Sequence, residues 1–542
     1  MTDRVCDLTL QPLGDIHHNR LPGEPGTLVY VYVFIAVAVL VLVVAGFNFV
    51  NLSVAYGSTR AGEVGLRKTV GAGRGQLVRQ FLWESFMQAV PAVGCCFLIV
   101  ELALPAFSTL VGVYLTLDLF GSWQLVLSAI GIAMLLGLAA GAAPALVMSS
   151  YKPTSIIGSR RVSEGRSRSA LRRALVFGQF TMSAFLVIGA IVITQQMDYI
   201  TDADLGYRRD NIITMPITGD YYRQIKPLLP VLLQHPSIHS ATVSANLPGK
   251  RETTKTDAVW PGKDPNQMLR TEIIYADHEF LNTFGMELVE GRYYSPEFPS
   301  DGGDAWVINE TAARAMGFEK GATVGQVITI DNRTGTVVGV VRDFHSRSLH
   351  NAIEPLAFDL WVWANDNLSF RLDGADLSGT LEFMQSFWDE HIADYPFSYT
   401  FFDETLADLY QSEQRMGTIS LTFAGLAIFV SLLGLIGLTV FSAQRRVREI
   451  GIRKVLGATQ TAIVKLLCTE MTLIVIAANI LAWPMAYLAA DRWLAGFAYH
   501  MQLGPGVFLV SAVVSVLLSI VVTGLHSLRT AAADPVRALR ME

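Results

Sequence analysis

One short stretch of this chain occurs twice. Glu63-Val64-Gly65-Leu66-Arg67-Lys68-Thr69-Val70-Gly71-Ala72 returns as Glu449-Ile450-Gly451-Ile452-Arg453-Lys454-Val455-Leu456-Gly457-Ala458, each time directly after an uncharged apolar run. The register continues into the next apolar segment, where Glu84 matches Glu470, and Lys152-Pro153-Thr154 is echoed by Asp534-Pro535-Val536. The repeating unit is three membrane spans with their cytoplasmic elements, present twice.

Crossing ~30 Å of hydrocarbon takes about 20 helical residues. Uncharged stretches of that length run Leu28–Val50, Ser122–Ser150, Leu175–Thr194, Thr418–Ser442 and Gly504–Leu525. Two more, Leu77–Leu104 and Leu466–Ala490, carry the acids Glu84, Glu101 and Glu470. A chain that is 51% hydrophobic and only 16% charged fits this reading and excludes an ordinary soluble domain. The expected fold class is therefore an α-helical membrane protein with about seven transmembrane helices.

Lys and Arg crowd one set of short connections: Arg60, Arg67, Lys68, Arg74 and Arg79; the run 148–174; Arg445, Arg446, Arg448, Arg453, Lys454 and Lys465; and the tail from Arg529. The opposite side has Arg4, Arg20 and Arg492. The positive-inside rule then places both motif copies and the C-terminus in the cytoplasm and the N-terminus outside.

Between the fourth and fifth spans, residues 195–416 form one large outer segment with room for its own core. Gln326–Ile330 and Thr336–Val341 read as a hairpin around Asp331-Asn332-Arg333-Thr334-Gly335, and Glu310–Met316 and Leu377–Asp394 read as helices, so a mixed α/β domain is expected. Its polar flanks, Gln195–Asp204 and Glu404–Met416, are helix-compatible and read as extensions of spans four and five into a stalk, with two ordinary linkers as the blander reading. Cys95, Cys96 and Cys468 fall within spans and Cys6 outside, so no disulfide framework is expected.

Within each motif, Glu63 and Arg67, and Glu449 and Arg453, stand four residues apart with the acid first, which favours a short amphipathic helix. Gly71 and Gly457 then permit a sharp reversal into the next helix. Anchoring of span ends needs charge but no fixed order, so the repeated order favours a surface helix that carries motion from a soluble partner into the membrane.

These residues resemble a known family. Asn48-Phe49-Val50-Asn51-Leu52-Ser53, Arg60, the motif itself, Gly71-Ala72 and Arg79-Gln80-Phe81-Leu82-Trp83-Glu84-Ser85 are similar to the FtsX/MacB-type permease subunit of ABC transporters, and the chain from span five onward resembles its second copy. Gly339-Val340-Val341-Arg342-Asp343-Phe344-His345, Ser348-Leu349-His350 and Glu354-Pro355-Leu356 resemble that family's MacB-like periplasmic core domain. Phe402-Asp403-Glu404, Leu409-Tyr410 and Ser412-Glu413-Gln414-Arg415 resemble its approach to the following span.

The resemblance implies a multi-pass permease of the bacterial inner membrane, paired with a separate ABC ATPase subunit and often with a second permease as a homo- or heterodimer. It implies that ATP and Mg are bound by the ATPase and that this chain has no cofactor, metal or catalytic residue. Closure of the ATPases would move periplasmic domains that export peptides, drugs or lipoproteins with a periplasmic adaptor, or that regulate envelope partners without transport. On this chain the ATPase-coupling residues would be Arg60, Glu63, Gly65, Arg67, Lys68 and Gly71, with Arg446, Glu449, Gly451, Arg453, Lys454 and Gly457, helped by residues near Pro153 and Pro535.

The implied organisation is a remnant of a first periplasmic domain (1–27), a first permease repeat (28–150), a cytoplasmic linker (151–174), span four (175–194), the periplasmic domain with stalk (195–416) and a second repeat (417–542). Leu10-Gln11-Pro12-Leu13-Gly14-Asp15-Ile16-His17 resembles only the closing strand of that first domain, so a fragment, a mis-assigned start or a shortened form is expected.

Other chemistries find less in the residues. Gly62-Glu63-Val64-Gly65-Leu66-Arg67-Lys68-Thr69 has Arg67 where a phosphate loop needs glycine, and Gly71-Ala72-Gly73-Arg74-Gly75 follows no strand. Nucleic-acid binding is not expected, because the basic residues border spans, beside membrane lipids, and the net charge is -6. Glu84 and Glu470, acids inside spans, need partners within the bundle, for which Arg79 and Lys465 lie nearest in sequence. Asp343, His345 and His350 sit close together, but their spacing fits a hydrogen-bonded turn better than a metal site. Trp260, Trp306 and Trp388 are expected in the outer core, with Trp361 and Trp363 there or at a partner surface.

Overall fold

A computed structural model of the chain describes residues 27–59, 61–112, 114–118, 121, 123–149, 165–249, 254–360, 366–392, 394–445, 452–453 and 456–532. It divides into two compact units, one holding the long apolar helices and the other comprising Asp198–Ser412 with Ala495–Met501.

Helices occupy each expected span. They are α1 (Thr27–Thr59), α3 (Arg74–Val111), α4 (Trp123–Ser149), α5 (Gly165–Asp202), α8 (Gln411–Arg445), α9 (Gln460–Leu494) and α10 (Pro505–Ala532), with the short α2 (Ala61–Thr69) between α1 and α3. Six are long and apolar enough to cross a membrane; α4 is the exception, because its described apolar stretch covers only Trp123–Ala139. The expectation of about seven spans thus becomes six candidates and one shorter apolar helix among the described residues.

Small residues let these helices approach closely, since apolar lipid provides no hydrophobic force to press them together. On α10, Ser511, Ser515, Ser519, Thr523 and Ser527 form a buried stripe, and α9, packed beside it, buries Ala478, Ala482, Ala486 and Ala490. In the first copy, a Cβ on Gly141 of α4 would meet Ser85 Oγ of α3 at 2.9 Å. Large apolar residues such as Leu98, Leu102 and Leu135 remain exposed, as a surface bathed in lipid requires. Cys95 and Cys96 are exposed on that surface.

The second unit is α/β, with two sheets. Strands β1 (Ile212–Pro216), β2 (Ile238–Ser244), β10 (Asn367–Leu372) and β11 (Thr400–Phe401) form a four-stranded antiparallel sheet in the order β11-β1-β10-β2. Helix α6 (Leu377–His391) covers it, α7 (Phe402–Leu409) follows β11, and Trp388 is fully buried with its indole N–H donated to Tyr221 Oη at 2.5 Å. The second sheet is mixed and holds β3 (Thr254–Asp257), β4 (Arg270–Tyr275), β5 (Leu288–Gly291), β6 (Ala305–Asn309), β7 (Val327–Ile330), β8 (Arg333–Val341) and β9 (Leu356–Asp359). Trp260 and Trp306 pack into its core, while Trp361 and Trp363 lie outside the described residues.

The expected hairpin is present but tighter than its turn residues implied. β7 and β8 join through Asp331 and Asn332 alone, both at positive φ (50° and 61°), which matches the twist of the strands and adds Arg333–Gly335 to β8. Between the sheets Asp277 accepts hydrogen bonds from Thr242 Oγ1 and the Val243 N–H of β2. Burial pushes its carboxyl up to about 6 against the pull of those bonds.

Candidate functional site

α2 carries Glu63, Gly65, Arg67 and Lys68 of the first motif copy. Glu63 and Arg67 form the ion pair that their spacing predicts, at 2.8 Å, and being partly exposed it contributes only a few tenths of a kcal/mol, about 0.3–0.5. Val64 holds the helix down, buried against Leu77 and Phe81 of α3. Leu66 and Val70 are exposed by 68% and 83% beside Arg67, and their counterparts in the second copy, Ile452 and Leu456, by 49% and 80%. The sequence by itself singles out only the charges and glycines of the motif. The matched exposure of an apolar pair in both copies appears only once backbone and burial are known.

The two copies end in the same backbone geometry. Val70 N–H donates to Leu66 O at 3.1 Å and Ala72 N–H to Arg67 O at 2.9 Å; in the second copy Leu456 N–H donates to Ile452 O at 3.0 Å and Ala458 N–H to Arg453 O at 2.9 Å. Gly71 and Gly457 sit at φ +99° and +91°. A Cβ on either would touch nothing within 4 Å, so backbone conformation and not crowding requires glycine there.

From α2 a polar chain runs inward. Arg67 donates to Gln80 Oε1 at 2.5 Å, and Gln80 donates to Glu84 Oε1 at 2.9 Å. The intramembrane acid of the first copy is thereby tied to the motif helix through Gln80, whereas the sequence points to Arg79. Glu470 pairs with Arg173 of α5 at 2.6 Å, a partner remote in sequence and distinct from the expected Lys465. Arg60, Arg446, Glu449, Gly451 and Lys454, the segments around Pro153 and Pro535, Cys6 and the N-terminal remnant to residue 26 lie outside the described residues.

The connection between α9 and α10, Ala495–Met501, belongs to the α/β unit. Ala498 N–H donates to His350 O and Tyr499 N–H to Leu349 O, each at 3.2 Å. The His350 ring stacks on Phe497 at 4.0 Å, and buried His345 meets Tyr499 edge-on at 4.6 Å. The hydroxyl of Tyr410, which precedes α8, accepts Leu349 N–H at 2.8 Å. Asp343 turns elsewhere, accepting from Thr311 N–H and Oγ1 at 2.8 Å each. The three residues weighed as a metal site thus serve separate packing and turn roles, and no metal-ligand cluster occurs among the described residues.

Comparison with known proteins matches this architecture. The FtsX-like permease C-terminal family model matches residues 35–153 and again 421–535, and the MacB-like periplasmic core domain model matches 174–376. An uncharacterized ABC transporter permease, YknZ of Bacillus subtilis, is 22% identical over 48% of this chain and 68% of its own length. A macrolide export ATP-binding/permease protein, MacB of Chromobacterium violaceum, is 24% identical over 51% of this chain, which spans under half (44%) of that protein. The periplasmic region of MacB from Actinobacillus actinomycetemcomitans aligns with 39% of the chain at 14% identity and a TM-score of 0.28. Two FtsX-like matches, one on each motif copy, flank one MacB-like match on the α/β unit, and the chain belongs to the FtsX/MacB-like family of ABC transporter permeases.

Proposed function

We propose that this chain is the membrane subunit of an ATP-driven machine of the bacterial inner membrane, with a separate ABC ATPase docking in the cytoplasm on the two motif copies and the α/β unit working in the periplasm. The observation that carries this reading is the matched cap of the two copies: the same hydrogen bonds, the same left-handed glycine and the same exposed apolar pair beside a basic residue. A partner with two like subunits needs two like surfaces. ATP and Mg belong to that partner in this reading, and the permease contributes shape and charge.

Movement delivered at α2 has a physical route through Arg67 and Gln80 into α3. Within the α/β unit, Ala498 and Tyr499 N–H groups donate to His350 and Leu349 carbonyls, so the segment linking α9 to α10 is part of that unit. The work done is export of peptides, drugs or lipoproteins, in keeping with the macrolide export for which the MacB relatives are named.

Affinity purification of the full chain from membranes, followed by a Mg-ATPase assay, tests the reading. Co-purification of an ABC ATPase whose hydrolysis rises with candidate substrates is expected. Absence of any ATPase would overturn it, and hydrolysis indifferent to every substrate class would replace export by regulation of an envelope partner.

A further inference from the structure

Glu101 is the acid of α3 that the motif does not use. It stands seventeen residues beyond Glu84, about 25 Å along the helix, so the two acids lie near opposite faces of the ~30 Å hydrocarbon layer. Glu84 accepts a bond from Gln80, whereas the exposed carboxylate of Glu101 forms no hydrogen bond or ion pair among the described residues. The backbone carbonyl of Glu101 also lacks its α-helical partner, because Pro105, four residues on and inside α3, has no N–H to donate. One residue therefore offers three acceptor oxygens.

Beside it is a cavity of about 620 Å³, which Glu101 lines together with Ser108 and an apolar wall of Leu104, Pro105, Leu115 and Leu117. Ser108 Oγ accepts the Leu115 N–H at 3.2 Å, which holds the chain after α3 back against the last turns of the helix. Arg415 of α8 lies against Gly112 at the tip of α3, where its charge complements the carbonyl end of the helix dipole. That tip is about 16 Å along the axis from Glu101.

The second copy supplies a comparison. The register that matches Glu84 with Glu470 puts Tyr487 at the position of Glu101. A cavity of about 480 Å³ is present there too, but Trp483, Pro484, Tyr487 and Phe508 line it and no acid does. The cavity belongs to both copies and the carboxylate to the first alone.

A free carboxylate and carbonyl at the edge of the hydrocarbon, continued by an apolar wall, complement an ammonium carried on an apolar body. An ammonium has three donors and no acceptor, and its bonds to a carboxylate are charge-assisted. We infer that this cavity binds amphipathic amines, with the ammonium at Glu101 and the hydrocarbon along Leu104, Pro105, Leu115 and Leu117. The site rests on the placement of α3 in the membrane and not on the function proposed above; joined to that function, it names amphipathic cations as a class of exported molecule.

The test uses the full chain in dodecyl maltoside, labelled with a dodecylamine that carries a photoreactive diazirine on its alkyl chain. Saturable labelling within residues 101–117 is expected, with unlabelled dodecylamine competing and uncharged dodecanol not competing. Glu101→Gln, of the same size without the charge, should weaken the apparent affinity roughly tenfold or more, and Tyr487→Phe in the second copy should leave it unchanged. Leu115→Trp fills the cavity and keeps the acid; it should weaken labelling as well, and it decides the question if Glu101→Gln fails to insert. Labelling that Glu101→Gln leaves unchanged, or that dodecanol competes away equally, overturns the proposal. Competition by phosphatidylethanolamine as strong as by dodecylamine would make a lipid headgroup the natural source of the amine, and competition by dodecylamine alone would make it a free amphiphile; both results support the site. Loss of ATPase co-purification with labelling intact would count against the proposed function alone.

Discussion

The two motif copies are alike where the backbone turns and unlike where the side chains reach into the membrane. Both close with the same pair of hydrogen bonds and the same left-handed glycine. Inward of that cap, the first copy connects Arg67 through Gln80 to Glu84, whereas Leu466 occupies the position equivalent to Gln80 and Glu470 pairs across to Arg173 of α5. The shared part is what a repeated partner would read. The divergent part ties one acid to the motif helix and the other to a neighbouring span, so under the proposed function the copies would receive the same input and pass it to different helices.

The largest effect that could break the comparison is charge reversal. Arg67→Glu with Lys68→Glu, combined with Arg453→Glu and Lys454→Glu, is expected to abolish ATPase co-purification while leaving membrane insertion intact, because each desolvated interfacial charge pair lost costs about 2–5 kcal/mol. Unchanged co-purification would remove the motif from the docking surface.

Outside both copies, Asp277 provides a control that should spare the motif. Its carboxyl in the folded unit titrates at about 6 against an ordinary 3.8, so the folded state holds the proton more tightly. Stability is therefore greatest below the unfolded value and falls as pH rises through that window, by about 3 kcal/mol in all. Thermal unfolding of the chain at pH 4 and pH 7 should show most of this loss, and Asp277→Asn should flatten it without altering ATPase binding.

Gly71→Ala and Gly457→Ala each force a Cβ into a left-handed conformation, at about 1–2 kcal/mol. The two substitutions should reduce ATPase activity about equally, and a marked inequality would show that the caps are alike in form only. Smallest is Gln80→Leu, which gives the first copy the residue of the second. It is expected to cost about 1 kcal/mol in a single hydrogen-bonded link, seen as faster hydrogen exchange in α2 with no change at residues 456–463.

Much of this is legible in the sequence because it is local. The i,i+4 pair Glu63–Arg67, the glycine reversals and the hairpin before Val341 depend on neighbours a few residues away, and the repeat announces itself by its order. What the sequence hides depends on residues far apart in the chain. Arg173 lies on a helix remote from Glu470, and nothing in local spacing joins them. Gln80 is passed over because a partner for Glu84 is naturally sought among positive charges, while an amide serves by donating on one side and accepting on the other. His345 and His350 resemble a chemical cluster until Phe497 and Tyr499, from the connection between two later helices, occupy their ring faces. The exposed apolar pairs Leu66 with Val70 and Ile452 with Leu456 read as ordinary helix positions until burial is known.

The central claim is that the two copies are equivalent docking surfaces, and native mass spectrometry of the detergent-extracted complex tests it most directly. Two ATPase subunits per permease chain are predicted for the unaltered protein, falling to one when either Arg67-Lys68 or Arg453-Lys454 alone is reversed in charge. A single ATPase on the unaltered chain, or a count that ignores reversal of one copy, would contradict it.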